Sequence, residues 1–161
     1  DIYLVAHARF VLGSSSGITN TAWIFNVPTV IVGCAAFLEM PLGQGSINIP
    51  KRIKKKESGE YLSYAAAYQK KLGYIYAPWE MEKIKPYIFE EPSPTEICGV
   101  VKEMLARLNN SWQQNSDQTQ LLQDYFQYYY QIIYDPTSFE PLPGTLWLQE
   151  NCRLYFPDRE E

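Results

Sequence analysis

At 161 residues the chain suits one compact domain, or one half of a larger two-domain enzyme. Hydrophobic residues make up 46% and aromatic residues 15%, which excludes a disordered chain. The net charge of −4 is uneven, with +2 over residues 1–110 and −6 over 111–161, so no general polyanion-binding character follows from it.

The chain opens on Asp1-Ile2-Tyr3-Leu4, which reads as the middle of an amphipathic element, so an N-terminally truncated chain is expected. No basic segment followed by an apolar core begins it, and no leader peptide is expected. Ile2, Val5 and Ala6 predict the end of a helix. Arg9-Phe10-Val11-Leu12 predicts a short buried strand ending at Gly13, and Gly13-Ser14-Ser15-Ser16-Gly17 predicts a loop. Ile18, Ala22 and Phe25 then recur at helical spacing until Asn26-Val27-Pro28. Thr29-Val30-Ile31-Val32 predicts a second buried strand closing at Gly33. Strand, loop, helix and strand in 33 residues make a βαβ unit, which requires a parallel sheet.

The apolar run from Val27 to Met40 is interrupted by Pro28, Thr29, Gly33 and Glu39, and is too short to span a bilayer. Residues 37–56 read mainly as loop. Within them lies Lys51-Arg52-Ile53-Lys54-Lys55-Lys56, read as a solvated basic loop, since it has no interleaved aromatic residues to stack on bases. Nucleic acid is therefore not an expected partner. Ser63 is positioned to cap a helix through Leu72 with Gly73 as terminator. Short strands are expected at Tyr74-Ile75-Tyr76 and at Tyr87-Ile88-Phe89. Ser93-Pro94-Thr95-Glu96 is a capping box with proline at the first helical position, and Ile97, Val100, Val101, Met104, Leu105 and Leu108 extend the helix to about residue 109. A further helix is expected from an Asp117 cap to Asp135-Pro136, with Leu122, Tyr125, Phe126, Tyr129, Ile132 and Ile133 on one face. A last helix is expected from Thr145 to Tyr155. The fold class expected is α/β, a Rossmann-like parallel sheet over residues 1–110 with a helical C-terminal extension over 111–161.

Cys34, Cys98 and Cys152 are single and widely spaced, and His7 is the only histidine, so no zinc site of the usual spacing exists. All three cysteines are expected to be buried thiols in a reducing cytosol. His7 is expected to be a packed helical residue.

Function is sought in the loop after the first strand, because ligands of open parallel sheets bind beyond the strands' carboxyl ends. Gly13 and Gly17 let the backbone approach a ligand, Ser14, Ser15 and Ser16 supply hydroxyls, and the next helix adds unpaired amides. An ordinary strand-to-helix turn with Ser16 as N-cap has the same composition. The loop is neither a Walker A motif nor the dinucleotide fingerprint.

The segment from Ala8 to Gly17, followed by Thr19 to Thr29, resembles the donor-side motif of GT-B glycosyltransferases, and within that class the chain is most similar to a bacterial family known mainly from genome sequences. Ile47-Asn48-Ile49-Pro50-Lys51, the helix from Ser93 to Leu108, and Leu142-Pro143-Gly144-Thr145-Leu146-Trp147-Leu148 share the likeness. Ser15 departs from the Asp or Thr often found in related enzymes. The resemblance implies the C-terminal, nucleotide-sugar-binding half of a GT-B architecture. By it Gly13, Ser14, Ser15, Ser16 and Gly17 would sit at the donor diphosphate, with Thr19 and Asn20 on the first helical turn. Glu39, Asn48, Lys51 and Arg52 would lie near the sugar or base, Lys51 or Arg52 offsetting leaving-group charge. No metal or other cofactor is implied, since this class generally works without a divalent ion. The partners implied are a nucleotide-sugar donor, a glycan or lipid-linked acceptor, and a missing N-terminal half carrying the catalytic base. The setting expected is cytoplasmic, at most peripheral to the inner membrane. Two other readings of the same scaffold stay open: a nucleotide-sugar epimerase or hydrolase, and a non-catalytic binding or scaffold module.

Overall fold

Three short apolar segments, Val11–Gly13 (β1), Thr29–Cys34 (β2) and Ile47–Pro50 (β3), align in parallel, and the two-residue strand Leu142–Pro143 (β7) adds beside β3. The computed structural model describes residues 1–35, 45–72, 81–132 and 142–157. The class is α/β, as expected, and the sheet order is β1-β2-β3-β7.

Helix Gly17–Ile24 (α2) links β1 to β2 and packs with Ile2–Ala6 (α1) on one face, where Val5, Ala22 and Val27 are buried. Asn26, at φ 54°, ends α2, and asparagine adopts this left-handed conformation more readily than other non-glycine residues. β2 runs one residue past Gly33, whose φ of 66° accompanies an irregularity in the register between Val32 and Cys34.

The segment expected to be loop up to Lys56 instead contains two strands, β3 and Arg52–Lys55 (β4). The alternation in Arg52-Ile53-Lys54 is the reason: Ile53 is 1% exposed while its neighbours turn outward. β4 is the centre of a second, antiparallel sheet with Tyr61–Leu62 (β5) and Tyr87–Glu90 (β6), the latter a strand the sequence predicts. Ile53, Leu62, Ala67 and Leu72 form a small core between this sheet and helix Tyr64–Gln69 (α3), whose Ser63 cap accepts from the Ala66 amide. Lys71 takes the left-handed position after α3 that was expected of Gly73, at φ 55°. Gly73 and the strand expected at 74–76 lie outside the described residues, and a short helix, Met81–Ile84 (α4), leads into β6.

On the other face of the parallel sheet lie Pro94–Leu108 (α5), Ser116–Ile132 (α6), Thr145–Glu150 (α7) and Cys152–Tyr155 (α8). The capping box of α5 forms as read, with the Glu96 amide donating to Ser93 Oγ and the Ser93 amide donating to Glu96. α6 is capped by Asn115 rather than by Asp117: Gln118 N–H donates to Asn115 Oδ1 at 2.8 Å, and Asn115 N–H returns to Gln118 Oε1. The expected last helix breaks at Asn151 into α7 and α8. Val30, Ile47 and Ile49 of the sheet meet Val100 and Met104 of α5, Leu121, Leu122 and Tyr125 of α6, and Trp147, Leu148 and Tyr155 in one cluster. That core spans both sides of residue 110. Burial of a side chain such as Met104 or Leu148 contributes about 2 kcal/mol.

The α5–α7 contact is built on Glu103, 1% exposed. Its carboxylate accepts from the Thr145 amide and hydroxyl, both at 2.7 Å, and from Arg107 Nε and Nη2 at 3.0 and 2.7 Å. Gly144 is enclosed, since a Cβ there would lie 3.0 Å from Ile49 and 3.1 Å from Val100. Replacing Glu103 by Ala strands a buried amide and the Arg107 charge, so Glu103→Ala should lower unfolding free energy by about 3 kcal/mol, measured by urea titration.

Candidate functional site

Gly13 ends β1 where α2 approaches most closely: a Cβ at Gly13 would stand 2.6 Å from Thr19 Cγ2. Any side chain here would push α2 away from the strand. Ser14, Ser15 and Ser16 are exposed and form the bend between the two elements. Thr19, 3% exposed, fastens that bend from beneath. Its hydroxyl lies 3.1 Å from the Ser14 carbonyl and 2.7 Å from the Ser16 carbonyl, to which it can donate, and it accepts from the Ser16 amide at 3.2 Å. Thr19 therefore shapes the loop from a buried position. Asn20 is exposed on α2, its amide donating to the Ser16 carbonyl.

Gly17 differs from Gly13. A Cβ at Gly17 meets nothing within 4 Å, so packing does not require glycine there. As the first residue of α2, it and Ile18 have amides with no intrahelical acceptor. Ser16 is the N-cap of α2, in a capping box with Thr19, as an ordinary strand-to-helix turn would have it; the loop in addition exposes the Ser14 and Ser15 hydroxyls, first-turn amides and the positive end of the helix dipole, an arrangement suited to an anion.

The remaining expected residues are distributed along the same carboxyl edge. In-register pairing puts Gly13 beside Ile31 and Ile31 beside Asn48, so Asn48 sits on the α2 face, about 10 Å from Gly13 by two strand spacings. Asn48, expected on a surface loop if it had no role in binding, is a strand residue only 5% exposed, and its Oδ1 is buried without a partner. Lys51 follows β3; its amide donates to the Cys34 carbonyl and its ammonium pairs with Glu91. Arg52 opens β4, forks onto Glu96 at 2.7 and 3.4 Å, lies 3.7 Å from Glu90 and stacks 5.0 Å from the Trp147 ring centre. Both cations are therefore engaged by carboxylates at the start of α5, contacts that no local sequence pattern announces. Glu39 lies outside the described residues.

His7 is exposed on α1, its ring stacked on Tyr3 with Nδ1 2.9 Å from the Tyr3 carbonyl; it is not packed in a core as expected. Cys34 is buried, but Cys98 is exposed and Cys152 half-buried, which corrects the expectation of three buried thiols. Helix periodicity leaves position 98 on the solvent side of α5, away from Val100 and Met104. Among the described residues no three His, Cys, Asp or Glu side chains gather to hold a metal ion, and no helix is long and apolar enough to cross a membrane. No protein-family model, curated protein or solved structure matches the chain.

Burial pushes the Glu96 carboxyl up, but hydrogen bonds from the Ser93 hydroxyl and amide and from Arg52 outweigh it and hold the group below the usual carboxylate range. Because the folded value is the lower one, the pair stabilises the fold above about pH 4.3, the ordinary carboxylate value, and that contribution is lost as pH falls through the folded value. Glu96→Gln should therefore be less stable than the parent at neutral pH, and the gap should narrow below about pH 4 in urea midpoints measured against pH. Thr19→Val keeps the shape but removes the hydroxyl, so it should cost about 1–2 kcal/mol in the same assay.

Proposed function

We propose that the chain is the donor-binding part of a glycosyltransferase that moves a sugar from a nucleotide-sugar to an acceptor hydroxyl. One observation carries the reading: the exposed Ser14-Ser15-Ser16-Gly17 turn lies at the carboxyl end of a parallel strand and runs into the first turn of α2. Exposed hydroxyls and first-turn amides suit the oxygens of a diphosphate, and the helix dipole favours its charge. The open space at Gly17 lets backbone and ligand approach without a side chain between them.

In this reading the chain's own residues bind and orient. Thr19 fixes the turn, Ser14 to Ser16 donate to phosphate oxygens, and Gly17 and Ile18 offer amides. Asn48, on the same face of the sheet, presents an unpaired amide oxygen that suits a sugar or base hydroxyl. Lys51 reaches a donor only by leaving Glu91, so its charge becomes available on binding. Arg52 is more firmly committed, being paired with Glu96 and stacked on Trp147, and acts as a support for the edge. The Rossmann-like, GT-B assignment, the acceptor-binding half and the base that deprotonates the acceptor belong to this proposal.

Calorimetric titration with a panel of uridine, guanosine and thymidine diphosphate sugars tests it. The parent chain should bind at least one donor, and Gly17→Val should weaken that binding more than tenfold without lowering the melting temperature, because a Cβ at this position meets no neighbour. Unchanged affinity in the variant refutes the site. A sugar epimerised or hydrolysed with no acceptor present would favour the epimerase or hydrolase reading, and the absence of any donor binding a scaffold.

A further inference from the structure

Apart from Arg52, the antiparallel sheet takes no part in the donor cradle, and the segment that builds it and its flanking helices holds most of the basic residues. Residues 51–90 contain nine basic and five acidic side chains, whereas the rest of the chain contains five and thirteen. Strand register decides where that charge points. Tyr61 and Ile88 flank Lys54 in one row across β5-β4-β6, on the face opposite the buried Ile53, Leu62 and Phe89 cluster. Lys56, in the turn that follows β4, extends the pairing with the chain before β6, its amide donating to the Pro86 carbonyl at 2.8 Å.

This outward face is amphipathic in its own right. Tyr61 is 44% and Ile88 47% exposed, and Met81 on the adjoining α4 is 51% exposed. Three acidic groups nearby are paired: Glu60 meets Lys55, Glu82 meets Lys85, and Glu90 accepts from the Tyr61 hydroxyl at 2.8 Å while facing Arg52; Glu57 is exposed next to Lys56 in the chain.

We infer that this face docks on an anionic lipid surface. Lysines on flexible stems meet the negative headgroups, while an aliphatic side chain, a thioether and a phenol sit at the depth where such groups prefer the interface. Single-stranded nucleic acid fits less well: the Lys54 ammonium already lies over the Tyr61 ring at 5.3 Å and the Tyr61 hydroxyl is bonded to Glu90, so a base would have to compete with the lysine for the ring. The inference does not depend on the donor reading, because it concerns a different sheet and a different ligand.

The test is co-sedimentation of the full chain with vesicles of phosphatidylcholine alone and of phosphatidylcholine with one third phosphatidylglycerol. The chain should pellet only with the anionic vesicles, and less as salt rises. Each lysine contributes about a fivefold gain in partitioning, so Lys54→Gln with Lys56→Gln should reduce pelleting about 25-fold. Lys102→Gln, on exposed α5 outside this face, should leave it unchanged. Ile88→Ser, a single exposed substitution, should weaken binding several-fold and keeps the test decisive should the double variant fold poorly. Equal pelleting with both vesicle types, no pelleting with either, or undiminished binding by the variants overturns the inference. Retention of a fluorescent oligonucleotide without vesicle binding overturns it in favour of nucleic acid.

Discussion

A buried carboxylate, Glu103, receives four hydrogen bonds from Arg107 and Thr145, and much of the fold is arranged around it. A carboxylate removed from water is costly unless its oxygens are satisfied, and both oxygens of Glu103 are. Once formed, the contact fixes the first residue of α7 against α5. That position lays β7 beside β3 and brings Trp147 under Arg52. Arg52 in turn holds Glu96, which caps α5. The chain of contacts closes on itself, from α5 through α7 and β4 back to the start of α5, and the carboxyl edge of the parallel sheet is its rim.

The rim has two unlike parts. At β1 the backbone does the shaping: Gly13 allows α2 to approach, and Thr19 turns its hydroxyl inward to brace the serine bend. At β3 and β4 ion pairs do it, with Lys51 and Arg52 held by Glu91 and Glu96. The serine turn is consequently the exposed, chemically available part, while the cations beyond β3 are neutralised at rest.

The βαβ start and the capped α5 were legible because their signals are local. Alternation, a glycine at the strand end and a Ser-Pro-x-Glu box each act within a few residues. The site residues at the serine turn share that property. What failed was the stretch before Lys56, where proline, glycine and lysine content suggested loop. Buried Ile47 and Ile49 in β3 and Ile53 in β4 carry the strand signal there, and lysine stems tolerate an exposed strand face, so composition misled where alternation was informative. The cap of α6 and the left-handed residue after α3 shifted by two residues each, within the usual slack of helix ends.

The sequence by itself determined the α/β class, the parallel first unit, the serine turn and the strongest helix, since each follows from propensity and spacing along the chain. Only the tertiary structure decided which carboxylates neutralise Lys51 and Arg52, that Asn48 is buried in a strand, and that Glu103 ties α5 to α7 across 42 positions. It also decided that Arg52–Lys55 of the basic run is a strand, with Tyr61 and Ile88 beside Lys54. The physical reason is common to all of these. Ion pairs, buried amides and cross-strand rows depend on distance in space, and a chain's local pattern records only the distance along it.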